Sequence, residues 1–230
     1  MYKMEIRSIT GMSLSEVEAI CTSIGEPAYR AKQILSWIYD KGATTFDEMS
    51  NLSKNFRKQL EDTYQAFQTK IDTITQTADG TEKFLIHLFD ENVIECVLLR
   101  EGRKITACVS TQVGCAMACR FCASGVLGFE RNLTAGEIVE QALHVKNHLH
   151  TGERLTNIVF MGIGEPLKNY DNVVKSVRIM NAEWGLGIGA RHITISTVGI
   201  IDGMRRLAQE GIQVNLAISL HAPNDITRSK

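Results

Sequence analysis

The chain has 230 residues, 44% hydrophobic and 22% charged, enough for one substantial core and a small second unit. A formal net charge of −1 excludes a uniformly basic nucleic-acid binder, so any such contact must use local cations. No run of about 18 apolar residues could span a membrane, no apolar leader opens the chain, and six cysteines without an export signal point to the reducing cytoplasm.

Residues 1–68 read as a small helical domain. Ser13-x-x-Glu16 is a capping box that starts a helix ending near Gly25. Pro27 stands where the next helix begins, and Tyr29, Ile34, Leu35, Trp37 and Ile38 give it an apolar face before Gly42. A third helix carries Leu52, Phe56 and Leu60, with Lys54, Arg57 and Lys58 on its other faces. Spacing alone makes those cations an ordinary solvated helix side.

Residues 69–100 read as a β-rich connecting segment. Lys70 to Thr77 alternates, Ala78-Asp-Gly-Thr81 signals a hairpin, and runs from Lys83 and Val93 follow, the second with Glu95 in its middle. From 101 to 230 the rhythm is βα. Strands are expected at 105–111, 156–161, 192–196 and 214–220, with helices between them, the first opened by the capping box Thr134-x-x-Glu137. Near-continuous apolar strands separated by helices indicate a parallel α/β sheet buried on both faces. The unusual polar residues gather at the carboxyl ends of these strands, which is where parallel α/β folds place their sites. Four units are too few to close a barrel, so the chain is expected to be the front part of a longer protein.

The most informative stretch is Gly114-Cys-Ala-Met-Ala-Cys-Arg-Phe-Cys-Ala123. Its C-x3-C-x2-C spacing offers three thiolates, Cys115, Cys119 and Cys122, and withholds a fourth. A structural zinc site wants four protein ligands, usually as two C-x2-C knuckles, and no second knuckle exists. An iron–sulfur cubane held by three thiolates keeps one iron open to an outside ligand. A zinc clip or a chance gathering of thiols is the competing reading. Together with Phe121 and the strand leading in, the spacing resembles the signature of radical S-adenosylmethionine (SAM) enzymes.

Further stretches sharpen the resemblance: Pro27-Ala-Tyr-Arg-Ala-Lys-Gln-Ile34, Phe46-Asp-Glu-Met-Ser-Asn-Leu-Ser-Lys54, Cys108-Val-Ser-Thr-Gln-Val-Gly-Cys115, Arg131-Asn-Leu-Thr-Ala-Gly-Glu-Ile138, Phe160-Met-Gly-Ile-Gly-Glu-Pro166 and Ile218-Ser-Leu-His-Ala-Pro223. Nearly the whole chain is similar to the RlmN family of radical SAM RNA methyltransferases, with the C8-methylating Cfr enzymes as close relatives. The resemblance implies a partial (β/α) radical SAM barrel preceded by a helical RNA-docking accessory domain and a β-hairpin segment. It implies a 4Fe–4S cluster and SAM as cofactors, 23S ribosomal RNA and tRNA as partners, and an electron donor such as flavodoxin or ferredoxin. The reaction it implies is methylation of adenine C2, an electron-poor carbon with no lone pair to attack a sulfonium methyl. In the family a methylated cysteine delivers the carbon as a radical, and a second cysteine resolves the adduct with formation of a disulfide bond.

Carried over residue by residue, the resemblance makes Cys115, Cys119 and Cys122 the cluster ligands. It makes Gly164, Glu165, Ser196, Ser219, Leu220 and His221 SAM contacts, Cys108 the resolving cysteine, and Glu95 the base that takes the C2 proton. Glu165 suits an ammonium partner, against the plainer reading of a carboxylate at a helix start. His221 by itself reads as a packed core histidine and Cys108 as a small buried strand residue. Glu95, among Val93, Ile94, Val97 and Leu98, is either a base in an apolar setting or an outward-facing strand carboxylate. The accessory-domain likeness raises Arg30, Lys32, Lys54, Arg57 and Lys58 to phosphate contacts. The family's methyl-carrying cysteine has no match here, so the isolated chain is expected not to turn over. C8 methylation and a non-catalytic iron–sulfur or zinc RNA-binding fragment stay open as alternatives.

Overall fold

The computed structural model describes residues 7–126 and 128–228. The first unit opens with β1 (Arg7–Ser8), continues through α1 (Leu14–Ser23), α2 (Arg30–Tyr39) and α3 (Lys54–Glu61), and closes with β2 (Tyr64–Gln65), which pairs parallel with β1. The Ser13–Glu16 capping box forms reciprocally, with Ser13 N donating to Glu16 Oε2 at 2.7 Å and Glu16 N to Ser13 Oγ at 3.3 Å. Val17, Ile20, Ile34, Leu35, Ile38, Phe46, Phe56 and Leu60 meet in its interior, as the helical spacing of the sequence requires.

Next come β3 (Lys70–Gln76), β4 (Glu82–His87), β5 (Val93–Glu101) and β6 (Lys104–Cys108), an antiparallel run. A small hairpin of β7 (Gln112–Gly114) and β8 (Phe129–Asn132) follows, enclosing α4 (Ala123–Val126). The chain continues as α5 (Ala135–His148), β9 (Asn157–Phe160), α6 (Tyr170–Asn181), β10 (Ile193–Thr197), α7 (Ile201–Gln209), β11 (Asn215–Ile218) and α8 (Asp225–Arg228). One seven-stranded sheet runs in the order β11-β10-β9-β6-β5-β4-β3. Strands β6, β9, β10 and β11 are parallel, so consecutive βα units form the arc of a partial barrel. The strands of residues 70–101 extend that same sheet in antiparallel fashion.

The α/β architecture expected from the sequence is present. One difference lies at the site. The expected strand 105–111 stops pairing with β5 at Cys108, because the buried amide of Gln141 on α5 takes over. Its Oε1 accepts from Ser110 N at 2.7 Å and its Nε2 donates to Ser110 O at 3.0 Å, doing what a neighbouring strand would do. The backbone then turns away and re-enters a ladder as β7.

Helix α5 is buried almost all round, with the sheet on one side and the first unit on the other. Gly11 and Gly136 permit that approach, since a Cβ on Gly11 would stand 2.6 Å from Gly136 N. Glu140, fully buried, fastens the contact. It accepts from Ser8 Oγ and Thr10 Oγ1 at 2.6 Å each, from Thr69 N at 2.7 Å and from Gln68 N at 3.0 Å. Burial pushes its carboxyl up, despite those donors.

Candidate cofactor site at the carboxyl edge of the parallel strands

The cysteine loop is pinched at its neck. Gly114 has φ +70°, and a Cβ there would fall 1.9 Å from Gly128 O, a contact open only to glycine. Cys115 N donates to Gly128 O at 2.7 Å and Cys122 N to Cys119 O at 3.1 Å, so the turn holds all three cysteines on one small loop. Burial first, then the charges of Cys119, Cys122 and Glu165, pushes the Cys115 thiol up. Three thiols and the Glu165 carboxyl thus share one neighbourhood, and a cation-rich cluster would stabilise the three thiols as thiolates.

This donor set fits a cubane. Among the described residues no three His, Cys, Asp or Glu side chains gather around one point as ligands of a single ion. The thiolates of a cubane each bind a different iron and need no such convergence. All three cysteines are half-buried, and Phe121 beside them is 66% exposed. The Phe121 ring lies 4.4 Å from that of His221, which draws the cysteine loop against the loop after β11.

The loop after β9 faces the same rim. Gly164 has φ +110°, and a Cβ on it would come within 2.7 Å of both Thr111 Oγ1 and Gln112 Cβ. Thr111 Oγ1 is buried without a partner. An orphaned hydroxyl beneath a bare glycine backbone is a setting that accommodates a polar amino-acid group such as the methionyl end of SAM. Ser196 Oγ on β10 lies 3.3 Å from Ser219 Oγ, and Leu220 beyond it is 58% exposed. Gly164, Ser196, Ser219, Leu220 and His221 therefore flank one rim with the cysteine loop.

Glu165 takes the plainer of its two sequence readings, a carboxylate at a helix start. It is 2% exposed, and its Oε1 accepts from Leu167 N at 3.0 Å, capping the short helical turn Pro166–Lys168. Its Oε2 accepts from Val198 N at 2.9 Å and ties the loop to the end of β10. Each oxygen keeps a further lone pair for an added donor.

Glu95 and Cys108 lie on one face of the sheet. The pleat of β5 sends Ile94, Cys96 and Leu98 into the core and Glu95 with Val97 to the opposite face. Cys108 stands opposite Val97 and Val159, and Val159 opposite Thr194, two residues before Ser196. Burial pushes the Cys108 thiol up to about 11, so at neutral pH it is held as the thiol. Val93 and Val97 share the face of Glu95 and Leu85 stands opposite it, but Ile94 and Leu98 turn into the core and the carboxylate itself is not buried. Its Oε1 instead accepts from Lys83 Nζ at 2.9 Å, both side chains being nearly half exposed. All six cysteines are free thiols, so the disulfide implied by the resemblance is not formed in this structure.

On the first unit, Lys32, Lys54 and Lys58 are exposed. Arg57 is not available in the way the sequence suggested: its side chain is 14% exposed and donates to the carbonyl of Asp47. Arg30 donates to Gln33 Oε1 at 2.8 Å and pairs with Glu26 at 3.4 Å. No described helix is long and apolar enough to cross a membrane.

Gln112, Arg131 and Lys83 received no role from sequence reasoning, although the first two stand within the stretches that carry the family resemblance. Arg131 on β8 donates to both oxygens of Glu137 at 2.7 and 2.9 Å and to Asp90 at 2.6 Å, bracing the cysteine hairpin against α5 and the β4–β5 turn. Arg131 stands three residues ahead of a capping box, and only the fold reveals its partners.

Residues 8–65 match the ribosomal RNA large subunit methyltransferase N-terminal domain family, and residues 109–230 match the radical SAM superfamily. A probable dual-specificity RNA methyltransferase RlmN of Symbiobacterium thermophilum is 49% identical over 223 residues, covering 96% of this chain and 60% of the relative. One of the same name from Alkaliphilus oremlandii is 49% identical over 228 residues, covering 99% and 66%. The crystal structure of a radical SAM methyltransferase from Sphaerobacter thermophilus superposes with a TM-score of 0.94 at 44% identity, covering 97% of this chain and 66% of the other. The chain thus spans less than two thirds of the length of the curated relatives it matches. It belongs to the radical SAM superfamily, in the RlmN family, whose members use a 4Fe–4S cluster and SAM.

Proposed function

We propose that this chain is the cluster-, SAM- and RNA-docking part of a methyltransferase acting on C2 of an adenosine in 23S ribosomal RNA and of an adenosine beside the tRNA anticodon. The observation that carries this reading is the meeting of the three-cysteine loop with Gly164, Ser196 and Ser219 on one rim, joined by the Phe121–His221 contact. Cys115, Cys119 and Cys122 would hold the cluster. When bound, cluster and SAM supply a one-electron reduction that yields a carbon radical able to take hydrogen from an S-methyl group.

This chain's own residues orient and manage protons. The Gly164 backbone and the Ser196–Ser219 pair receive the cofactor. Glu95, on the face shared with Cys108 and paired with Lys83, takes the C2 proton. Cys108, held as a thiol by burial, does not attack prematurely and serves to resolve the adduct once a base removes its proton. The methyl carrier is not among the six cysteines, since Cys21 and Cys96 are fully buried and the other four are already assigned.

The test is anaerobic reconstitution of the 230-residue chain with iron and sulfide, followed by reduction in the presence of SAM. The expected result is cubane absorption and formation of 5′-deoxyadenosine and methionine, with no methylated adenosine when RNA is added. A loop filled by a four-ligand zinc ion, or a loaded cluster that leaves SAM intact, overturns the proposal.

A further inference from the structure

We propose that Gln112 is a positioning residue that locks the cysteine loop to the Gly164–Glu165 loop, so that cluster and SAM are presented at one fixed spacing; this rests on the function proposed above. Gln112 is 1% exposed and opens β7, whose last residue adjoins Cys115. Its Nε2 donates to Asn132 Oδ1 at 2.8 Å, across the hairpin that closes the cysteine loop. Its Oε1 accepts from Glu165 N at 2.9 Å. Glu165 then continues the chain of bonds to Leu167 N and Val198 N.

A single amide therefore links the cysteine hairpin, the loop after β9 and, through Glu165, the end of β10. The demand on the residue type is narrow. A carboxylate of equal length would accept from Glu165 N but could not donate to Asn132, and an apolar side chain could do neither. The neighbouring contacts make the link stiff. Ile163 N donates to Ser110 Oγ at 2.9 Å, Thr111 N donates to Ile163 O at 2.8 Å, and no Cβ fits between Gly164 and Gln112. A reductive electron transfer between two separately held groups needs their holders kept in register. Gln112, with both ends of its buried amide engaged by protein, acts through both loops.

The experiment compares the parent with Gln112→Leu and Asn132→Ala after anaerobic reconstitution. Iron content, thermal midpoint, SAM affinity by equilibrium dialysis, and the change that SAM causes in the electron paramagnetic resonance of the reduced cluster are read on each. Both variants should load as much iron as the parent. Gln112→Leu should bind SAM about ten-fold more weakly and Asn132→Ala about three-fold more weakly, with a diminished spectral response. Asn132 lies at the surface, so its variant decides the matter should Gln112→Leu fail to fold. Unchanged SAM affinity and spectral response in a variant that loads normally overturn the positioning role alone, even if its melting point falls. A parent that loads no cluster or ignores SAM overturns the proposed function, and this role with it.

Discussion

Lys83 Nζ lies 2.9 Å from Glu95 Oε1, joining two strands of the antiparallel extension on the face that also carries Cys108. Their side chains are 46% and 41% exposed, so solvent screens the pair and its net worth to folding is small. Glu95→Gln should change unfolding free energy by less than about 1 kcal/mol, measured by urea denaturation. A protein much less stable than that would make Glu95 a folding residue and remove the reason to see it as a base.

Glu140 carries a larger share of stability. Glu140→Ala would leave the hydroxyls of Ser8 and Thr10 and the amides of Gln68 and Thr69 without their acceptor, at a cost of about 3–5 kcal/mol. Because burial raises its carboxyl above the ordinary value, the native state holds this proton more tightly than the unfolded chain. Its contribution is therefore largest at low pH and declines as pH rises through the raised value. Glu140→Gln should flatten that decline, as read by chemical denaturation at several pH values.

Asp90 titrates with the opposite sign. Hydrogen bonding to Arg131 outweighs burial and holds its carboxyl down to about 2, against an ordinary 3.8. The bridge stabilises the fold above pH 3.8, by on the order of 1–2 kcal/mol after allowing for partial exposure. That advantage disappears as pH falls from 3.8 towards 2. Asp90→Asn should thus be less stable than the parent at neutral pH, with the gap closing in that acid window.

Two glycines of left-handed backbone at the neck of the cysteine loop should behave differently. A Cβ on Gly114 meets Gly128 O at 1.9 Å, whereas a Cβ on Gly128 meets nothing within 4 Å. Gly114→Ala should lose most of its iron after reconstitution. Gly128→Ala carries only local strain of about 1 kcal/mol and should load normally. Equal iron in the two variants would show that the neck does not shape the loop.

Cations of the first unit divide by what holds them. If Lys54 and Lys58 meet phosphates, replacing both with alanine should weaken RNA binding and reduce the salt slope of the affinity by about 2. Arg57→Ala should leave that slope alone and lower the melting temperature, since its guanidinium is occupied by Asp47. Fluorescence anisotropy across a salt series, beside thermal melts, separates the two effects.

Local signals in the sequence determined the helices of the first unit, both capping boxes, the parallel βα units and the three-cysteine loop. Each depends on residues a few positions apart, and propensity, capping and spacing act over that range. Tertiary structure decided what depends on distant partners. Gln141 ends the pairing of β6 by imitating a strand at Ser110, 31 residues away. The pleat of β5 turned Glu95 away from Ile94 and Leu98 and within reach of Lys83, and Glu165 met Val198 only once β9 and β10 lay side by side. Sequence spacing states which chemistry a side chain offers. Which of its lone pairs and protons remain for a ligand is settled by the buried polar groups that folding brings against it, because none of these can be left unpaired without cost.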